Sequence, residues 1–262
     1  MILLLRRHSG FGNSLIQLSA LHADGSLSRT ILIGYDDIIS SSYLDSPFKP
    51  LASLKAHRLY VRLLYFVLRR LLPKTSNPLI SLTPKQLVDF FGQDTSSHDL
   101  TPLSQLSISR STTTRLKRYL GAHGYDLSKT LIIHARGGDY RSWPSAESPA
   151  LLPSSYYNNA RNQFPNIDCV LVLTNDPDYL SSLDFDFEYQ TISLSHDETF
   201  CVLALARYIV LSPSTYGYAA FYVNSLMFKS YAVAPIYWAG WPKGEWFPPA
   251  FQSKDLQYIP VF

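Results

Sequence analysis

The run "CVLVLT", residues 169–174, is apolar at nearly every position, so a strand built from it must be covered on both faces. Strands of that kind belong to parallel sheets flanked by helices. The neighbouring sequence repeats the theme. Leu131–His134 reads as a strand, Ser154–Phe164 as a helix capped by Ser154 or Ser155, Tyr189–Leu194 as a strand and Asp197–Ala206 as a helix. Tyr208–Leu211, Ser214–Ser225 and Ser230–Ala234 continue as strand, helix and strand. This alternation predicts an α/β fold whose ligand groups gather at the carboxyl ends of the strands.

The first half is less regular. A strand at Ile2–Arg6 leads through "HSGFGNSLIQLSALH" into a helix, and Thr30–Gly34 is a second strand. Helices are expected over 50–72, Thr83–Phe91 and Leu103–Leu120. Turn residues at Gly121–Ser128 place a boundary there, which gives domains 1–124 and 125–262. A chain of 262 residues accommodates two domains of ordinary size. With 46% hydrophobic and 16% charged residues it can bury a sizeable core.

A net charge of +3 and a pI near 8.7 suit an anionic ligand or a membrane surface, but are too weak to argue for nucleic acid as a partner. Cys169 and Cys201 lie in apolar surroundings and read as buried free thiols, with no zinc spacing. "MILLL", followed at once by Arg6-Arg7, is far shorter than the ~20 apolar residues of a membrane span. It reads as a first strand, and the protein as cytoplasmic.

Chemistry concentrates where strands give way to turns. In "SGFGNS", residues 9–14, Gly10 and Gly12 let the backbone turn tightly into a helix start that offers free N–H groups to an anion. The third glycine of the dinucleotide fingerprint is missing, and the alternative is a plain connection with Asn13 as N-cap. In "HARGGDY", residues 134–140, Arg136 carries a permanent charge and a planar fork of donors suited to phosphate. Gly137 and Gly138 open the backbone to a ligand, Asp139 orients Arg136 or holds a hydroxyl, and His134 donates from the strand end. The alternative is an Arg136–Asp139 turn with His134 packed beneath. Ser214 and Thr215, after the strand in "LSPST", are phosphate ligands or ordinary N-caps.

Three carboxylates, Asp139, Asp176 and Glu198, are candidates for a general base, and all three are also expected among the donor-binding residues. Residues 51–74 form a basic amphipathic helix, with Lys55, Arg58, Arg62 and Arg69 on one stripe. That stripe suits an anionic membrane or is simply a solvated face.

Read in order, these motifs resemble the bacterial α-1,2-fucosyltransferases (glycosyltransferase family 11-like), within the GDP-fucose-dependent inverting transferases. The likeness runs almost the length of the chain. "GFGNSLIQ" at residues 10–17 is similar to the family's G-L-G-N-Q-L-F-Q, and "HARGGDY" to its H-x-R-R-G-D-Y. "VLTND", "PSTYGYAAFYVN" and "APIYWAGWPKGEWFPP" echo its later segments. The departures are Gly137 for a second arginine, Pro213 for an asparagine, and Tyr218 and Ala219 for paired tryptophans.

The resemblance implies a GT-B fold, two Rossmann-like domains with parallel sheets facing across a cleft. It implies a metal-independent, cofactor-free transferase that moves fucose from GDP-fucose to a galactose-type hydroxyl of a glycan, in surface polysaccharide or glycan biosynthesis. Arg136 would grip the β-phosphate, His134 and Asp139 would lie near the nucleotide, Ser214 and Thr215 would bind phosphate, and Asn13 would reach across the cleft. Another GDP-sugar is an alternative donor. Asp176 and Asp178 are also similar to the metal-binding Asp-x-Asp pair of another glycosyltransferase architecture, which makes a metal-dependent transferase one rival reading. A non-catalytic glycan-binding protein of the same fold is the other.

Overall fold

Strand β1 (Ile2–Leu5) is the centre of the first sheet because it pairs in parallel on both sides. A computed structural model describes residues 2–6, 10–71, 74–75, 86–88, 101–167, 169–228, 230–248 and 252–262. Contacts divide the chain into two units, Met1–Ser109 and Arg110–Phe262.

In the first unit β1 is followed by α1 (Phe11–Ala23), β2 (Thr30–Ile33), α2 (Asp36–Ile39), β3 (Leu44–Asp45) and β4 (Ala52–Leu54). Next come α3 (Arg58–Leu71), β5 (Lys74–Thr75), β6 (Gln86–Val88) and β7 (Ser107–Ile108). The sheet order is β4-β2-β1-β6-β5, parallel throughout, while β3 and β7 form a separate antiparallel pair. Helix α1 buries Leu15, Ile16, Leu18 and Leu21 completely.

Tertiary pairing overrides the expected helices in three places. The helix expected from residue 50 starts only at Arg58, because Leu51 N–H and Gly34 N–H bond to Thr30 and Leu54 carbonyls and hold β4 as an edge strand. Within the helix expected over Thr83–Phe91, the described residues Gln86–Val88 form a strand in register with β1; the others lie outside the described residues. A short apolar run fits either element, and the open side of β1 selects the strand. The helix expected from Leu103 begins at Arg110, after a 3₁₀ turn at Thr101–Gln105 and the β7 pairing.

The second unit opens with α4 (Arg110–Ala122), which packs against α7, so this helix goes with the second unit. It continues through β8 (Thr130–Ala135), the hairpin pair β9 (Pro144–Ser145) and β10 (Ser148–Pro149), α5 (Ser154–Asn162), β11 (Cys169–Thr174) and α6 (Pro177–Ser181). Then follow β12 (Gln190–Thr191), α7 (His196–Leu205), β13 (Tyr208–Val210), α8 (Thr215–Phe228), β14 (Tyr231–Pro235) and β15 (Gln257–Ile259). No side chain caps α5. Ser154 Oγ instead accepts the Asp184 N–H at 2.8 Å.

All six main strands run parallel in the order β12-β11-β8-β13-β14-β15. Numbered by sequence this is 3-2-1-4-5-6, the doubly wound order, which reverses direction between β8 and β13. One face packs Leu131, Ile133, Val170 and Val172 against Tyr156, Tyr157 and Ala160 of α5. Ile132, Leu171 and Ile209 alternate to the opposite face and are fully buried as well, as "CVLVLT" requires. Cys201 is buried, Cys169 is half-buried, and both are free thiols. No described helix is long and apolar enough to cross a membrane.

Candidate functional site

A doubly wound sheet leaves a crevice where the strand order reverses, because the chains leaving the two strands turn to opposite faces. Here that point lies between the ends of β8 and β13. The loop from β8 carries Arg136–Asp139, and the loop from β13 carries Ser212–Thr215 into α8.

One hydroxyl ties the two loops together. Ser212 Oγ donates to the His134 carbonyl at 2.6 Å and accepts the Arg136 N–H at 3.0 Å. Tyr157 OH reaches the same oxygen at 2.9 Å. β13 ends at Val210, so this side chain continues the cross-strand bonding where the backbone ladder has stopped. Tyr140 adds a second tie by donating to the Pro213 carbonyl at 2.7 Å.

Arg136 is thereby held by its backbone at the strand end, beside the switch point. Nη2 lies 2.7 Å from Asp139 Oδ1, and the guanidinium carbon stands 5.3 Å from the Tyr140 ring centre. Arg136 Nε is buried and has no hydrogen-bond partner. A buried donor left unpaired costs free energy, and a ligand oxygen would relieve that cost. Ser214 and Thr215, both buried, stand at the N-terminal end of α8, where the helix dipole favours an anion, although the Ser214 N–H already donates to the Ser212 carbonyl at 2.7 Å.

His134 lies beneath this arrangement. Burial first, then the Arg136 charge and His196, bring its pKa down to about 3, so the ring is neutral. Its Nδ1 is buried without a hydrogen-bond partner, and a Cβ at Gly217 would approach it to 2.9 Å. The glycine lets α8 pass close to the ring.

The glycines of the β8 loop make room for a neighbour within the chain. A Cβ at Gly137 would stand 2.5 Å from Asp176 Cβ, and one at Gly138, where φ is +61°, would stand 2.8 Å from Asn175 Nδ2. Gly137 N–H donates to Asn175 Oδ1 at 3.0 Å, and Gly138 N–H donates to Asp176 Oδ2 at 2.7 Å.

Asp176 is committed on both oxygens. Oδ2 accepts from Gly138 and from Arg141 Nε at 3.0 Å; Oδ1 accepts from the Tyr179 N–H at 3.0 Å, capping α6, and from Arg141 Nη2 at 3.2 Å. Four donors occupy the four lone-pair sites of a carboxylate. Led by the Arg141 bond, they hold its pKa far below the usual carboxylate range. A divalent ion would have to displace Arg141 or a backbone bond. Among the described residues no three His, Cys, Asp or Glu side chains group as metal ligands.

Glu198 has a local duty as well. It closes a capping box with Ser195 at the start of α7 and pairs with Arg115 of α4, which lowers its pKa. Asp139 is the most open of the three candidate carboxylates, with 66% of its side chain exposed.

In the first unit Gly10, not Asn13, occupies the N-cap position of α1, and no side chain caps the helix. Asn13 is its third residue, with Oδ1 buried and without a hydrogen-bond partner. A Cβ at Gly10 would touch nothing within 4 Å, whereas Gly12 is buried in the helix. Gln17, in the same motif, is bonded to the Tyr35 hydroxyl at 2.7 Å and serves the core.

Sequence reasoning missed Ser212, Asn175 and Arg141. Ser212 had a signal, a hydroxyl directly after an apolar strand, but the motif drew attention to Ser214 and Thr215. Beside the loops, a hollow of about 260 Å³ opens at the carboxyl ends of β11 and β12, lined among others by Thr174, Leu180, Thr191, Ile192, Leu194 and Thr199.

The chain matches no protein-family model and no curated protein sequence. Its structure is similar to glycosyl transferase family 9 from Veillonella parvula, with a TM-score of 0.57 and 8% identity, over 100% of this chain and 87% of that one. The fold is that of GT-B glycosyltransferases. Arabidopsis thaliana FUT1 in complex with GDP is also similar, with a TM-score of 0.50 and 13% identity over 86% of this chain and 68% of that one. Fucosyltransferase NodZ from Bradyrhizobium follows at 0.48 and 12%, over 84% and 90%. In GT-B terms, the second unit supplies a doubly wound sheet with an arginine and a helix N-terminus at its switch point.

Proposed function

We propose that the protein is an inverting glycosyltransferase that moves a sugar from a nucleoside diphosphate donor to a glycan hydroxyl, with GDP-fucose as the donor and a galactose-type hydroxyl as the acceptor. The observation that carries this reading is Arg136, fixed at the switch point by Ser212, with a buried unpartnered Nε and a start of α8 beside it. The choice of fucose and guanine rests on the motif resemblance. The hollow over β11 and β12, walled by apolar and threonine side chains, suits a nucleobase.

The acceptor oxygen attacks the anomeric carbon as the bond to the diphosphate breaks and its electron pair leaves with the phosphate oxygen. Charge grows on that oxygen, where Arg136 and the N–H groups of α8 stabilise it. Arg136 spends only Nη2 on Asp139 Oδ1, so its other donors can meet the phosphate oxygen while Asp139 Oδ2 takes the acceptor's proton. Asn13, at the start of α1, is assigned to turnover and not to nucleotide affinity.

The test is Arg136→Ala assayed with GDP-fucose. Loss of a charge-assisted contact to the leaving group should cost on the order of 3 kcal/mol, or over a hundredfold in rate. Arg136→Lys should rescue poorly, because a point charge does not reproduce the fork. Near-normal turnover in the alanine variant would leave Arg136 as half of a local ion pair and defeat the proposal.

A further inference from the structure

Among the described residues, helix α3 carries a row of large apolar side chains that are about half exposed. The helix is anchored through Val61, which is 1% exposed and lies against the Gly34 backbone. On another face Leu59, Leu63, Phe66 and Val67 are 58%, 56%, 49% and 53% exposed. Their spacing of i, i+4, i+7 and i+8 makes one stripe along the helix. Leu54 of the neighbouring strand β4 is 52% exposed as well. A surface helix needs one apolar face to pack on its domain, and α3 has a second.

The charge along the sequence that carries this stripe is one-sided; Asp36 and Asp37 lie on α2, which packs on β4, and Asp37 is paired to Arg6. Residues 46–74 contain seven Lys or Arg and no Asp or Glu. Arg62 is exposed beside the stripe, and the Arg70 guanidinium lies 4.4 Å from the Phe66 ring centre. Lys55 precedes the helix and is exposed, so it extends the basic field without belonging to the helical stripe read from the sequence. Apolar side chains flanked by cations, without acids, match the two layers of an anionic bilayer surface. The apolar groups enter the acyl boundary, and the guanidinium groups stay among the phosphates.

We propose that α3 docks this protein on an anionic phospholipid bilayer, lying in the interface plane with Leu59, Leu63, Phe66 and Val67 turned into the membrane. The inference is independent of the transferase reading, since it uses no residue of the crevice. An acidic protein partner would also meet the cations. The acid-free run of 29 residues around an apolar stripe favours a diffuse anionic surface over a set of discrete carboxylates.

Sedimentation of the full chain with phosphatidylcholine vesicles, with and without phosphatidylglycerol, tests this. The protein should pellet with the anionic vesicles, stay in solution with the neutral ones, and lose binding as salt rises. Arg62→Gln with Arg70→Gln should weaken binding on the order of tenfold. Leu63→Gln with Phe66→Gln should weaken it comparably. Hydrogen exchange on the unmodified protein needs no variant and should slow across residues 58–71 on the vesicles. No pelleting with anionic vesicles, equal pelleting of all three proteins, or unchanged exchange would each overturn the proposal. A dimer dispersed by Leu63→Gln with Phe66→Gln would give the face to a second copy and overturn it too.

Discussion

The hydroxyl of Ser212 accepts the backbone N–H of Arg136 at 3.0 Å, across 76 residues of sequence. Oγ also donates to the His134 carbonyl, so one side chain fixes the direction in which the β8 strand ends.

Ser212→Ala should therefore leave Arg136 N–H and the His134 carbonyl unpaired in a site that is 1% exposed. A stability loss of about 1–3 kcal/mol is expected, read from urea unfolding. The turnover number should fall more than nucleotide affinity, because the guanidinium survives but is aimed less well. Unchanged turnover in a folded variant would reduce the serine to a purely structural bond.

Turnover should persist in excess EDTA. Both Asp176 oxygens are filled by Arg141, Gly138 and Tyr179, so the Asp-x-Asp rival must break an existing network to seat an ion. A rate that collapses in chelator and returns with manganese or magnesium would revive that rival.

His134 gives the fold a dependence on acid. An unfolded chain binds a proton at an imidazole near pH 6.5. In the fold His134 takes that proton only near pH 3. Between those values the unfolded state holds the extra proton, so this contribution to stability is whole above pH 6.5 and falls as the pH drops. The slope approaches about 1.4 kcal/mol per pH unit. His134→Gln should flatten the part between pH 6.5 and 5, measured by denaturant midpoints. Parallel profiles for the two proteins would contradict the buried neutral ring.

Asn13→Ala should lower turnover strongly and leave GDP affinity close to that of the unaltered protein. Oδ1 has no internal hydrogen-bond partner to lose, so the thermal midpoint should hardly move. Calorimetry with GDP beside donor-turnover assays decides this. A loss of GDP affinity as severe as that of Arg136→Ala would return Asn13 to the nucleotide site.

The second sheet was legible because β8, β11 and β13 are apolar on both faces, a pattern with few other solutions. The first unit was harder to read. Gln86–Val88 and Ala52–Leu54 are short, and only the open edges of β1 and β2 decide that they are strands. Arg136 was visible through its company of glycines and aspartate, yet the reason for those glycines was not. Asp176 and Asn175 lie 38 residues from their partners, and no local spacing announces such an approach. The same distance effect disguised Glu198, whose capping box is local but whose partner Arg115 is 83 residues away.

The seat that Gly137 leaves for Asp176 also restricts how this loop can change. With Asp176 Cβ only 2.5 Å from where a Cβ at 137 would stand, neither position is free to vary alone. Any larger residue at 137 evicts the carboxylate that caps α6 and holds Arg141. A lineage passing between a loop with an arginine at 137 and this one must alter both sites together, or cross an intermediate in which the loop and α6 come apart. Positions 137 and 176 should therefore covary among related sequences, and laboratory selections that randomise one without the other should return the starting residue.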